Sequence, residues 1–109
     1  MGLDLKFTHI TGRRNSCKIT VYALSTCGFC RRALNFLKEN GVEFDYIYVD
    51  LLPLNVQDEL VEKLEKEFNK HVAFPFLIVD GKECYIGFNP EKYQQLLDKI
   101  DAKESFKIG

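Results

Sequence analysis

The stretch "CKITVYALSTCGFCRRALNFLKENG", residues 17–41, decides the fold. Its first eight residues are β-branched and apolar on both faces, as suits a central strand covered on each side. A helix follows. Ala33, Phe36 and Leu37 share one face, Thr26 stands where a cap is needed, and Asn40-Gly41 supplies a left-handed stop. Between strand and helix lie Cys27 and Cys30, three positions apart. Cysteines at this spacing serve a redox couple, half of a metal site or one arm of a structural disulfide, so the rest of the chain must decide.

A chain of 109 residues with 46% hydrophobic content buries a core without covalent staples, which weighs against the structural disulfide. The four cysteines (Cys17, Cys27, Cys30 and Cys84) would suit a small secreted scaffold, but "MGLDLKFTHITGRRNS" (1–16) lacks the basic start and continuous apolar run of a signal peptide. A cytoplasmic, reducing location is the expectation. No apolar run approaches the roughly 20 residues that span a bilayer, so no membrane role is expected. A net charge of −1 and a pI near 6.1 lack the basic footprint of nucleic-acid binders, although Arg13-Arg14 and Arg31-Arg32 are local basic spots.

Beyond the opening stretch, "EFDYIYVD" (43–50) reads as a second strand, parallel to the first through a right-handed βαβ crossover. Val56, Leu60, Leu64 and Phe68 recur at i+4 and mark a core-facing helix between Leu54 and Asn69. "FPFLIVDGKECYIGF" (74–88) places two apolar runs around Asp80-Gly81, a hairpin signal. Asn89 then caps a last helix with Pro90 at its first position and Tyr93, Leu96, Leu97 and Ile100 on one face. The expected fold is α/β, in the order β-α-β-α-β-β-α, with a four-stranded mixed sheet and helices on both faces. Residues 1–16 form an extension in which Leu3, Leu5 and Phe7 alternate as an extra edge strand would. The domain proper spans 17–101, and the polar residues 102–109 read as a loose tail.

The cysteine pair follows a central strand and opens a helix, where ligands collect in α/β sheets. Free backbone N–H groups and the positive end of the helix dipole favour a thiolate there. A cysteine at its free pKa of about 8.5 is only ~3% thiolate at pH 7. Cys27 lies at the helix end and Cys30 one turn inside, so Cys27 is the nucleophile and Cys30 the resolving thiol. Arg31 and Arg32 break a rule, since cations in a first helical turn oppose the dipole. They add positive potential for the thiolate or an acidic substrate group, or they are solvated arginines whose stems cover apolar surface.

The chain resembles the glutaredoxin branch of the thioredoxin-like superfamily over about residues 17–101. "CGFC" (27–30), "FP" (74–75) and "GFNPE" (87–91) carry the likeness. The resemblance implies a cis Phe74-Pro75 bond facing the cysteines, and a dithiol redoxin that reduces protein or small disulfides. Substrate is expected to touch Thr26, Phe29, Arg31, Phe74, Pro75, Gly87 and Phe88. Glutathione-using members have a lysine three residues before the first cysteine, Thr-Val before the proline, and Gly-Gly with an acid after the hairpin. Here those places read Leu24, Ala73-Phe74 and Gly87-Phe88-Asn89. "GFNPE" is instead similar to redoxins that serve ribonucleotide reductase and draw electrons from thioredoxin reductase. The expected partners are a disulfide-containing protein and a thiol reductant or a thioredoxin-reductase-like donor, with the chain a monomer that carries no cofactor.

The alternative is an iron–sulfur carrier with Cys27 as ligand, because "CGFC" is one atom type away from the Cys-Gly-Phe-Ser of monothiol cluster-binding glutaredoxins. A zinc site lacks a second close pair, since Cys17, Cys84, His9 and His71 are scattered. Cys17 and Cys84 read as buried apolar thiols.

Overall fold

The computed structural model describes residues 5–108. In chain order the elements are β1 (Thr8–Ile10), β2 (Ile19–Ala23), α1 (Gly28–Glu39), β3 (Phe44–Tyr48), α2 (Leu54–Phe68), β4 (Phe76–Val79), β5 (Glu83–Ile86) and α3 (Pro90–Ile108). A single 3-10 turn, Val49–Leu51, links β3 to α2. The five strands form one sheet in the order β1-β3-β2-β4-β5. β2 and β3 are parallel, and every other neighbouring pair is antiparallel.

Alternation along β2 divides the core. Ile19, Val21 and Ala23 face a cluster with Ala33, Leu34 and Leu37 of α1 and Tyr93, Leu96, Leu97 and Ile100 of α3. Tyr22 faces the other way, onto Leu60 and Leu64 of α2 with Ile47, Phe76 and Ile78. The sheet is thus covered on both faces, as the run of apolar residues in β2 requires. Turn chemistry sets the ends. Gly41 follows α1 at φ +66°, and Asn69 closes α2 at φ 52°. Asp80 and Gly81, both at positive φ, turn β4 into β5.

Of two expectations about the chain ends, one is met and one is corrected. The extra strand is present, but at Thr8–Ile10, where Thr8 pairs with Tyr46 and Ile10 with Phe44. Leu5 and Phe7 precede it and pack against the α2-side core, and Leu3 lies outside the described residues. At the other end, α3 continues through Ile108 instead of giving way to a loose tail at 102. Ala102, Lys103 and Glu104 are strong helix formers, and the charged ends of Lys103 and Glu104 are engaged in contacts. Lys103 Nζ reaches Asp80 Oδ2 at 3.1 Å, and Glu104 Oε1 accepts the Asn15 N–H at 3.1 Å.

The segment 12–16 is a strap across the start of β3 and the end of α3. Arg14 Nε and Nη2 grip the Asp101 carboxylate at 2.9 and 3.3 Å, while Nη1 donates to the Asn40 carbonyl at 2.5 Å. Its backbone exchanges hydrogen bonds with Gly41 O and Glu43 N–H at 2.9 and 3.0 Å. Ser16 Oγ donates to the Ile100 carbonyl at 2.7 Å. Of the local basic spots, Arg14 is therefore structural.

Candidate redox site

β2 runs out at Ala23, and after three intervening residues the chain reaches Cys27, the N-cap of α1. Cys27 has extended backbone angles (φ −95°, ψ 121°), and its Sγ accepts the Cys30 N–H at 3.2 Å. The capping role expected of Thr26 thus falls to the sulfur itself. Thr26 is exposed, because the helix begins one residue further along than that reading required. Cys27 is half-buried, whereas Cys30 has 0% exposure and its Sγ accepts the Leu24 N–H at 3.4 Å.

This geometry separates the two thiols. The Cys30 side chain hydrogen-bonds Cys27 and holds its pKa below the usual cysteine value, against an opposing push from burial, with the Cys30 and Phe29 backbone N–H groups assisting. Burial pushes Cys30 up to about 12, and the bond to Cys27 adds to the rise. These shifts favour the thiolate form at Cys27 and the neutral thiol at Cys30. The first turn of α1 holds no acidic residue, but the arginines are not among the causes of the Cys27 shift. Arg32 lies over the Phe29 ring at 5.8 Å, and Phe29, two residues after Cys27, is 61% exposed. Arg31 is exposed.

A carboxylate that the sequence reading passed over braces the loop. Asp50 Oδ1 accepts the Ser25 N–H at 2.8 Å and Oδ2 the Ser25 hydroxyl at 2.5 Å. The strand register carried the signal: Ala23 pairs with Tyr48, so two residues further on Ser25 meets Asp50.

The Phe74-Pro75 bond is cis, as expected. Tyr22 pairs with Phe76 across β2 and β4, so the same register carries Phe74 toward Leu24 at the mouth of the cysteine loop. Phe74 packs against both halves of the core. The Pro75 carbonyl accepts the Gly87 N–H at 2.8 Å, which ties the proline segment to "GFNPE". Gly87 sits at φ +78°, a conformation that suits glycine. Phe88 turns inward, with its ring 4.9 Å from Tyr93 and 6.0 Å from Phe36. Asn89 Oδ1 caps α3 through the N–H groups of Glu91 and Lys92.

The other thiols and imidazoles lie apart. Cys17 is buried, with its pKa raised first by burial and then by Asp80, and Cys84 is half-buried in β5. His9 bonds Asp45 at 2.7 Å, and the exposed His71 approaches Glu65 at 3.3 Å. Among the described residues no group of three or more His, Cys, Asp or Glu side chains is placed to hold a metal ion. No helix among them is long and apolar enough to cross a membrane.

Residues 19–84 match the family model described as Glutaredoxin. The chain belongs to the glutaredoxin family. It is 37% identical over 67 residues to a probable glutaredoxin of Synechocystis, covering 62% of this chain and 70% of that one. Among solved structures, the glutaredoxin of Methanosarcina mazei matches with a TM-score of 0.71 and 34% identity, over 84% of this chain and 86% of that one. The methanoredoxin of Methanosarcina acetivorans matches at 0.68 and 31%, over 76% and 86%. This glutaredoxin thus has the thioredoxin-like fold, with β1 as an added strand on the edge of β3.

Proposed function

We propose that this glutaredoxin is a dithiol thiol-disulfide oxidoreductase in which Cys27 attacks and Cys30 resolves. The observation that carries the reading is the inequality of the two sulfurs: one half-exposed and stabilised as a thiolate, the other fully buried with its pKa raised. The Cys27 thiolate attacks a substrate disulfide, forms a mixed disulfide and expels one substrate thiolate. Cys30 then attacks Cys27 Sγ, its proton passing to the second departing substrate sulfur, and the Cys27–Cys30 disulfide remains. The substrate gains two electrons and the dithiol loses them. A thiol or a thioredoxin-reductase-like flavoenzyme restores the dithiol.

Glutathione is a poor donor on this reading. Leu24 stands where glutathione-using relatives carry a lysine for a carboxylate, and it packs against the core. Loss of one charge-assisted contact costs on the order of 1.5–3 kcal/mol, or tenfold and more in affinity.

The mechanism is tested with a single disulfide substrate. Cys27→Ser should abolish its reduction, whereas Cys30→Ser should trap a mixed disulfide visible by mass spectrometry. The reverse pattern would overturn the assignment. For the donor, glutathione with its reductase is compared against a thioredoxin-reductase system, in wild type and Leu24→Lys. Rapid wild-type turnover with glutathione, unimproved by the lysine, would refute the donor reading.

A further inference from the structure

The link from β3 to α2 carries four consecutive apolar residues, Leu51-Leu52-Pro53-Leu54. Three of them are exposed, and Leu51 and Leu54, at 70% and 76%, are two of the four large hydrophobic side chains exposed among the described residues. Single apolar residues at a surface need no reason, but a run of this kind does. The turn is also held firmly. The Leu52 N–H donates to the Val49 carbonyl at 3.1 Å, and the Gln57 side-chain amide donates to the Leu52 carbonyl at 2.8 Å. The leucines are thus presented from a fixed backbone. Beside them a cleft of about 390 Å³ opens where β1 stops, since Thr8 opposite Tyr46 is the limit of that pairing. Tyr46, Tyr48, Leu51 and Leu52 line it, and Lys6 is the one charged side chain among the described residues on its wall.

The bonds between Asp50 and Ser25 fix where this turn lies relative to the nucleophile. Leu51 follows Asp50 and Cys27 stands two residues beyond Ser25, so at ~3.8 Å per residue their Cα atoms lie within ~20 Å of each other. About six extended residues of a second chain cover that distance. A small disulfide does not reach both places. We propose that the Leu51–Leu54 turn and its cleft form a docking surface for a polypeptide substrate: an extended segment, within about six residues of the disulfide that Cys27 attacks, carrying leucine-like side chains and an acidic residue. The inference rests on the thiol-disulfide reading above and names protein as the class of substrate. The apolar side chains of the segment leave water against Leu51, Leu54 and the tyrosine rings, and its acid meets Lys6. Because the turn is already rigid and is tied to the cysteine loop through Asp50, docking has only the substrate to order.

The test uses two peptides of equal length, each with one cysteine joined to a nitrobenzoate thiol whose coloured thiolate leaves when Cys27 attacks the peptide sulfur. In the first, leucines and a glutamate stand about four to six residues from the cysteine. In the second, serines and a glutamine replace them. Rates are expressed relative to the symmetrical nitrobenzoate disulfide, too small to reach the turn, which corrects for any change at Cys27 itself. Wild type should react about tenfold faster with the first peptide, and in the Leu51→Ser, Leu54→Ser double variant that ratio should fall to about twofold or less. Lys6→Glu, made separately, should lower the ratio about threefold, the worth of one rim ion pair. Equal rates for the two peptides in wild type, or a ratio that survives all three substitutions, would overturn the docking surface. Self-association of wild type at assay concentration, abolished by the two serines, would assign the turn to a second copy of this chain and equally overturn it. Failure of wild type to react with the small disulfide would instead overturn the thiol-disulfide reading.

Discussion

Asp50 grips Ser25 with both carboxylate oxygens, one on the backbone N–H at 2.8 Å and one on the hydroxyl at 2.5 Å. These two bonds fasten the loop that leads into Cys27 to the end of the neighbouring parallel strand. The Ser25 hydroxyl and N–H hold the Asp50 carboxyl below its ordinary pKa, so the grip persists well into acid. In Asp50→Ala, Cys27 attack on a small disulfide should slow about tenfold, the order expected for a misplaced nucleophile. Asp50→Asn keeps an oxygen for the N–H and should retain most of the rate. Equal rates in all three proteins would show that the loop holds its shape without the carboxylate.

The pH dependence of Cys27 should follow its depressed pKa. A lowered pKa leaves the thiolate populated as pH falls below the free-cysteine value of about 8.5, and reactivity is lost only through the lower folded value. Alkylation rate against pH reads that midpoint. In Cys30→Ala the largest cause of the lowering is gone, so the midpoint should move up toward 8.5. An unmoved midpoint would assign the effect to the helix N–H groups alone.

Gly87→Ala tests the link between the proline segment and the hairpin exit. Space is open around the missing Cβ, so the penalty is confined to the backbone at φ +78°. The cost should be about 1–2 kcal/mol in urea unfolding. Gly87→Asn should cost less, since asparagine tolerates this region. Catalytic loss beyond the stability loss is expected in the alanine variant, because the Pro75 carbonyl is held by the Gly87 N–H. Equal stability of both variants and wild type would refute the backbone argument.

The strap should govern stability without governing chemistry. A Cβ on Gly12 would lie 2.4 Å from the Gly41 carbonyl oxygen and 2.6 Å from the Val42 carbonyl carbon, both backbone atoms. Gly12→Ala and Arg14→Ala should each lower Tm by several degrees, while Cys27 alkylation kinetics stay unchanged. These sites lie at the start of β3, and the thiols lie beyond the end of β2, at the other end of the parallel pair. A shift in Cys27 reactivity in either variant would show the two ends to be coupled.

What could be read from the sequence was what depends on local rules. Apolar periodicity gave the helices, Asp80-Gly81 the hairpin, Asn89 the cap of α3, and the helix-end position of the cysteines their order of exposure. What escaped depends on tertiary register. Asp50 looks like the last residue of a strand until β2 and β3 are aligned. Arg14 reads as a basic spot until Asp101, 87 residues away, arrives beside it. Tyr93 fits an apolar stripe, and nothing in that stripe tells that its oxygen is buried without a partner among the described residues. The helical end of α3 was missed for a related reason. Its polar residues suggested solvent, whereas Lys103 and Glu104 are engaged by the β4–β5 turn and the strap.

The three residues of β1 have a consequence for how copies of this chain behave in crowded solution. β3, "FDYIY", is mostly aromatic, and without β1 its open backbone ladder would offer a sticky template for another molecule's strand. With β1 in place, the exposed ladder passes to His9 and its neighbours, a short polar rim tied to Asp45. Trimming the chain before residue 11 would therefore be felt first as self-association during storage or expression, long before any redox assay registered a change.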